Sequence, residues 1–277
     1  MMKMVVCIKQ VPMVSELPWD PATGTLKRDL AEGMMNPACR SALEAALRIR
    51  EAEGGEITAI TMGPPMAEEV LREVIALGAD RGILLTDRRM AGADTFVTSY
   101  TLARAIEKAC AGFDLILCGF STSDSETAQV GPQLAEELDV PGVAYVDEIA
   151  VSGRTVRVQR LADNFLETLE MDLPALVTVT TGVYAPRYVP LGGLQAAFSR
   201  AEIETLDAGA LGLDQEMSGV KASATKILSV TSPTAGKKNI VLTGTPKRIV
   251  EQLFERFDDK IGGAIGKDLK ADKKKSL

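Results

Sequence analysis

Histidine is absent from all 277 residues. That removes His-dependent catalytic triads, His-ligated zinc or haem, and any imidazole acid–base step. Aromatic residues make up only 4% of the chain, too few for a base-stacking platform. Positive charge is also in deficit. Lys and Arg number 31 against 38 Asp and Glu, a net charge of −7, whereas a nucleic-acid-binding face must be basic to displace counterions. No apolar run approaches membrane-spanning length, so membrane insertion is not expected. The opening Met1-Met2-Lys3-Met4-Val5-Val6-Cys7-Ile8-Lys9 is too short and too quickly polar to be a signal peptide. The cysteines are Cys7, Cys39, Cys110 and Cys118, with no C-x-x-C among them. They read as core residues in a reducing compartment rather than a disulfide set or an iron–sulfur site, and a cytoplasmic location is expected. Neither G-x-G-x-x-G nor G-x-x-x-x-G-K-[ST] occurs, so the standard dinucleotide fingerprint and the P-loop are missing too.

What is present is an ordinary globular composition, 46% apolar and 25% charged, in one large domain or one domain with an extension. Met4 to Ile8 is a continuous apolar run, the form of a strand buried on both faces. A long loop follows through Pro18, Trp19, Pro21 and Gly24, with Trp19 read as a loop anchor. Asn36-Pro37 predicts a helix start, Asn as cap and Pro at the first helical position, with Gly54-Gly55 as its end. Glu56 to Met62 and Arg81 to Thr86 read as further strands, with a helix between them carrying Val70, Leu71, Val74 and Ile75. Asp94 is a natural N-cap for a helix running to Cys110. Leu115 to Cys118 gives a fourth strand and Val140 to Tyr145 a short fifth. This alternation predicts βαβ units: an α/β fold with a doubly wound parallel sheet.

In such a sheet, ligands bind beyond the carboxyl ends of the strands. The loops around Lys9-Gln10, Asn36, Met62-Gly63 and residues 119 to 129 converge there, with Asp94-Thr95 a candidate to join them. The richest is Gly119-Phe120-Ser121-Thr122-Ser123-Asp124-Ser125-Glu126-Thr127-Ala128-Gln129-Val130-Gly131-Pro132. Its hydroxyl and acidic groups bond backbone amides, and free N–H groups at the next helix start suit an anionic ligand. The alternative is a capped turn without a ligand, Asp124 or Ser125 being the N-cap.

After Asp147 the pattern changes. Residues 148 to 158 alternate with period two about Ser152-Gly153, an antiparallel hairpin added to the fold. Phe165 to Met171 and Ala175 to Thr180 are further strands. The Pro/Gly-rich stretch Tyr184 to Leu194 lacks an obvious local partner for its apolar residues; a long arm that cannot bury itself points to a partner subunit, the alternative being an arm folded back on its own sheet. Pro246 to Phe257 has one amphipathic pattern, and the tail Lys267 to Leu277 carries five lysines and reads as frayed. The boundaries expected are a nucleotide- or flavin-binding domain over 1–200 and a C-terminal arm with a helix over 201–277.

These residues together resemble the beta subunit of electron transfer flavoproteins. Val5 to Pro12, Asn36-Pro37-Ala38-Cys39, Met62-Gly63-Pro64 and Ala76 to Gly82 match in order and spacing. Arg160 to Pro174 resembles the family signature, although Asn164-Phe165 stands where small residues or glycine are usual. Pro186-Arg187-Tyr188 and Leu191 fall where the family places its partner-recognition segment. Phe120 to Ser123 also departs from the family's usual form, while Asp124 stays in place. Asp124-Ser125-Glu126-Thr127-Ala128-Gln129-Val130-Gly131-Pro132 and Gly92-Ala93-Asp94-Thr95 are closer to electron-bifurcating members, which bind FAD in this subunit, than to ordinary carriers, which hold a structural AMP.

The resemblance implies an α/β fold with a C-terminal arm packing on an alpha subunit. It implies FAD, or alternatively AMP, against Cys7, Lys9, Asn36, Cys39, Met62, Asp94, Thr95, Gly119, Asp124, Thr127, Ala128, Gln129 and Val130. It implies NADH as electron donor, ferredoxin or flavodoxin as one acceptor, and an acyl-CoA dehydrogenase-like flavoenzyme as the other, docked through Leu191 and its neighbours such as Tyr188, with Arg187 bracing that segment or contacting the other subunit; a core or loop role is the alternative for Arg187 and Leu191. The cofactor would carry the chemistry, so no side chain is needed as acid, base or nucleophile. A non-redox adenine-nucleotide-binding module on the same fold is the remaining alternative.

Overall fold

The computed structural model describes residues 1–13, 19–20, 25–26, 32–199, 201–225, 228, 240–257 and 261, the side chains of 19–20 and 25–26 excepted. The Trp19 side chain and the lysine tail Lys267 to Leu277 lie outside the described residues. In chain order the elements are β1 (Lys3–Cys7), β2 (Gln10–Pro12), β3 (Trp19–Asp20), β4 (Thr25–Leu26), β5 (Gly33–Met35), α1 (Pro37–Glu53), β6 (Glu56–Met62), α2 (Glu68–Leu77), β7 (Arg81–Leu85), α3 (Thr95–Ala109), β8 (Leu115–Gly119) and α4 (Val130–Glu137). There follow β9 (Gly142–Val146), β10 (Glu148–Ser152), β11 (Thr155–Ala162), β12 (Phe165–Asp172), β13 (Ala175–Val179), α5 (Leu191–Ser199), β14 (Ile203–Leu206) and α6 (Gly219–Ala222). Residues 246–257 are helical. The chain divides into a compact unit Met1–Val230 and a second unit Thr231–Leu277.

A seven-stranded sheet in the order β14-β7-β6-β1-β8-β13-β9 forms the centre of the first unit. Each of its ladders is parallel. The continuous apolar runs explain this: β1 is buried from Met4 to Cys7 and β13 along its whole length, as strands covered on both faces must be. Period-two alternation divides the core. Met4, Val6 and Ile8 pack with Leu43 and Leu47 of α1 and Leu71 and Val74 of α2. Val5 and Cys7 pack on the other face with Leu102 and Ile106 of α3 and Leu134 of α4.

The sequence pattern left two strand placements unspecified. β13, buried along its whole length, enters the parallel sheet between β8 and β9 rather than joining β12. β14 pairs with β7 from Ile203 to Leu206, so the sheet continues past residue 200. The three-stranded sheet β10-β11-β12 is antiparallel, as the alternation predicts. Its β11–β12 turn holds Asp163 and Asn164 at φ +49° and +67°. Asn tolerates that left-handed conformation, which accounts for Asn164 where small residues are usual.

Part of the stretch Tyr184 to Leu194 finds partners within the chain, while Tyr188 and Leu191 remain exposed. Tyr184 is buried, its hydroxyl accepting from the Ile149 amide at 2.8 Å, and Arg48 lies over its ring. Leu191 begins α5, which packs on α2. Among the described residues no helix is long and apolar enough to cross a membrane.

Candidate functional site

The chain leaves β1 for β6 on one side, and β8 lies on the other. The carboxyl ends of β1 and β8 therefore flank the switch point of the sheet, where a crevice opens. Cys7 pairs with Cys118 across it. Gly119 ends β8 under the N-terminus of α1: a Cβ there would stand 2.7 Å from the Ala38 carbonyl carbon and the Cys39 amide nitrogen. Glycine is needed at this point for the close approach of two backbones.

Three polar latches shape the crevice. Lys9, just beyond β1, donates from Nζ to both oxygens of Asp124 at 2.8 and 2.9 Å. Burial pushes the Asp124 carboxyl up, but the hydrogen bond and charge of Lys9 outweigh it, and the group is held below the ordinary aspartate value. Asn36, 1% exposed, donates from Nδ2 to the Ser121 carbonyl at 2.8 Å and accepts at Oδ1 from the Ser123 amide at 3.0 Å. The side-chain cap expected of Asn36 is thereby corrected. It makes no cap hydrogen bond, because its amide group instead pairs with a partly buried loop carbonyl and loop amide. Thr95 donates from Oγ1 to Gln129 Oε1 at 2.9 Å, joining the start of α3 to the start of α4.

The capped-turn alternative also fails in its particulars. α4 begins at Val130 with Gln129 at its cap position, several residues past Asp124 and Ser125, and Asp124 is committed to Lys9. Between them the loop is held in left-handed backbone at Glu126 (φ +50°) and Ala128 (φ +55°). Such conformations cost non-glycine residues roughly 1–2 kcal/mol each and cluster at ligand sites. Among the described residues, the amides of Thr127, Ala128, Gln129, Val130 and Gly131 have no hydrogen-bond acceptor. A row of free N–H groups leading into a helix N-terminus is a cradle for a phosphate or diphosphate. The residues present therefore fit a nucleotide or flavin dinucleotide.

The remaining candidates lie around this crevice in different roles. Cys7 and Cys118 are buried side by side on adjacent strands, and the neighbouring Cys118 thiol, with burial, raises Cys7 well above an ordinary thiol. Burial also raises Cys39, whose sulfur accepts from Asn36 Nδ2 at 3.4 Å. These buried sulfurs lie at the floor of the crevice. Met62 stands half-buried at the end of β6. Asp94 caps α3, accepting at Oδ1 from Val97 at 3.0 Å, and its Oδ2 accepts from the Thr225 amide at 2.9 Å. Both its oxygens are taken, so its neighbour Thr95 is the member of that pair that meets the loop. Thr127 and Gln129 are exposed, and Ala128 and Val130 partly so.

The partner-segment residues stand elsewhere, alongside α1. Arg187 turns inward: its Nε donates to Glu44 Oε2 at 2.8 Å and its Nη1 to Glu51 Oε1 at 2.7 Å. Tyr188 and Leu191 beside it are 99% and 83% exposed. Glu44, 5% exposed, was missed in the sequence. The signal was available, since it is an acid among Ala42, Leu43, Ala46 and Leu47 on the buried length of α1, and charges are rarely buried without partners. Burial pushes Glu44 up, but hydrogen bonds from Arg187 and Arg48 outweigh it, leaving the carboxyl below its ordinary value. Ser223 and Thr225, which hold Asp94, carried no such signal.

Residues 23–211 match the electron transfer flavoprotein domain. The chain is 41% identical to an electron transfer flavoprotein subunit beta from Thermoanaerobacterium thermosaccharolyticum, covering 94% of this chain and 99% of that protein. It is 41% identical to the caffeyl-CoA reductase-Etf complex subunit CarD of Acetobacterium woodii, covering 94% and 99%. It is 38% identical to the acryloyl-CoA reductase electron transfer subunit gamma of Anaerotignum propionicum, again covering 94% and 99%. With its parallel sheet, its switch-point crevice and full-length likeness to these proteins, the chain belongs to the electron transfer flavoprotein family, among its beta subunits.

Proposed function

We propose that the crevice binds FAD and that the chain serves as the beta subunit of an electron-bifurcating flavoprotein. The row of amides from Thr127 to Gly131, unpartnered among the described residues, carries this reading. Those amides, with the N-terminus of α4, would hold the diphosphate. Lys9 is tied to Asp124, so it fixes the loop and offsets charge there rather than reaching freely for a phosphate. Asn36 sets the loop's depth, and Thr95 and Gln129 bound its far side. Cys7, Cys39, Gly119 and Met62 close the floor without presenting charge.

When bound, FAD supplies acceptance of hydride from NADH and release of electrons to two acceptors, ferredoxin or flavodoxin and, through the FAD of an alpha subunit, an acyl-CoA dehydrogenase-like flavoenzyme. Kinship with subunits named for caffeyl-CoA and acryloyl-CoA reductase complexes supports the second acceptor. Tyr188 and Leu191, held out on the Arg187 brace, are the proposed dehydrogenase contacts. The exposed Val250, Leu253 and Phe254 of the 246–257 helix are the proposed contacts to the alpha subunit.

Counting the cofactors tests this. The heterodimer, expressed with its alpha subunit, is denatured and its FAD and AMP are quantified. Two FAD and no AMP is the expected result. One FAD and one AMP would make the chain an ordinary carrier subunit with a structural nucleotide. Nucleotide on this chain without flavin in the complex would leave a non-redox nucleotide module.

A further inference from the structure

The last stretch of the first unit is fastened to the rim of the crevice. The Ala208 amide donates to Asp87 at 3.1 Å. Gly219, at φ +57°, lies so close to the 89–91 turn that a Cβ would stand 2.3 Å from the Arg89 carbonyl oxygen. The Asp94 amide donates to Ser223 Oγ at 2.9 Å, and the Thr225 amide donates to Asp94 Oδ2 at 2.9 Å. Ser223 is buried, and its hydroxyl donates in turn to the Gly219 carbonyl at 2.9 Å. Capping α3 requires only Asp94 Oδ1 and the Val97 amide. The second oxygen and the backbone amide of Asp94 are spent instead on the segment that leads toward the second unit, Thr231–Leu277.

The same helix start meets the crevice. Thr95 follows Asp94 and donates to Gln129. Gln129 sits between the left-handed Ala128 and the first residue of α4. The chain of contacts therefore runs from the free amides through Gln129, Thr95 and Asp94 to Ser223 and Thr225. α3 and α4 pack directly on each other, so a shift of the loop at Gln129 is passed to the cap of α3 rather than absorbed between the helices. The left-handed backbone at Glu126 and Ala128 places strain in the loop on which an anion drawing its amides together would act.

We propose that this relay couples occupancy of the crevice to the anchoring of residues 219–225: ligand binding tightens the root of the C-terminal segment and ligand release loosens it. The proposal rests on the crevice being the nucleotide or flavin site. It concerns the regulation of that site and does not depend on which of the two is bound. Because such coupling is reciprocal, weakening the anchor must weaken the ligand by the same factor.

Hydrogen exchange read by mass spectrometry on the full chain in its complex with the alpha subunit tests it, first depleted of cofactor and then loaded with FAD or with AMP. Loading is expected to slow exchange in 120–131 and, by about fivefold or more, in 219–225. Ser223→Ala lies outside the crevice. It is expected to keep the slowing in 120–131, lose it in 219–225, and weaken cofactor affinity by a comparable factor. The double variant Ser223→Ala/Thr225→Pro, which also deletes the Thr225 donor, repeats the reading should the single change leave the anchor in place. Slowing in 120–131 with none in 219–225 of the unmodified chain would overturn the coupling and leave the binding site standing. Slowing in 219–225 that survives in the double variant would overturn the relay. Slowing in neither segment would remove the ligand site, and the coupling with it.

Discussion

Two segments are latched to opposite parts of helix α1, and they are latched differently. The crevice loop is held at the helix N-terminus by the neutral amide group of Asn36, through one carbonyl and one amide. The 184–191 segment is held along the helix body by charge, Arg187 against Glu44 and Glu51. The first latch secures the loop while leaving its amides from Thr127 to Gly131 without partners among the described residues. The second consumes the polar groups near it and leaves Tyr188 and Leu191 in solvent. Free amides suit an anionic small molecule, and free apolar side chains on a braced backbone suit a protein. One helix thus positions two surfaces of opposite chemistry.

Breaking the neutral latch is expected to have the largest effect. Asn36→Ala removes both hydrogen bonds to the loop, with the weaker one to the Cys39 sulfur, and strands a partly buried carbonyl and amide, at about 2 kcal/mol of stability. Cofactor affinity should fall with it, since the loop loses its depth setting. Denaturant unfolding and FAD or AMP titration read the two effects separately. An affinity unchanged by the substitution would detach the loop from the ligand.

The charged latch comes next, and pH sharpens the contrast. Glu44→Gln keeps the shape and removes the charge, at about 1–2 kcal/mol near neutral pH. The Glu44 carboxyl is depressed in the folded chain, so its contribution is present above the unfolded glutamate value and fades as pH falls through the folded one. The stability gap between the Glu44→Gln variant and the unmodified chain should therefore close in acid. A gap that persists below the folded value would mean that Glu44 acts through packing rather than charge. The Asn36→Ala gap, having no group in its latch that titrates in acid, should not close in this way.

The smallest effect on stability is expected at the exposed residues themselves. Leu191→Ala should change folding by less than about 0.5 kcal/mol, while weakening the dehydrogenase partner about tenfold if Leu191 anchors it. Partner affinity by titration, set beside the unfolding curve, checks this. Loss of stability without loss of partner affinity would make Leu191 a fold residue instead.

Much of this arrangement was legible in the residues. Strand β6 was bounded at Glu56 and Met62 by its apolar run and flanking glycines, and Asp94 was readable as a cap, because both signals are local. The loop from Gly119 to Val130 was marked out by composition alone. The uses of Asn36 and Asp94 were not legible. Asn36 reaches residues 121 and 123, and Asp94 reaches residue 225. Such contacts depend on which loops the crossovers bring to the same end of the sheet. The order of the strands was hidden for the same reason. β13 and β14 carry ordinary strand patterns, and nothing within either names its neighbours.

The sequence by itself determined that this is an α/β chain without imidazole chemistry, with an anion-suited loop after its fourth predicted strand and a family likeness across most of its length. Those properties follow from residue type, period and short spacing, which a linear chain displays directly. Only the tertiary structure decided that Asn36 holds the loop instead of capping its helix, that Asp94 ties the crevice to residues 223–225, and that Glu44 turns Arg187 inward while Tyr188 and Leu191 face out. Each of those outcomes pairs groups from distant parts of the chain. Their partners were fixed when burial forced polar groups to find hydrogen bonds wherever the packed sheet had placed them.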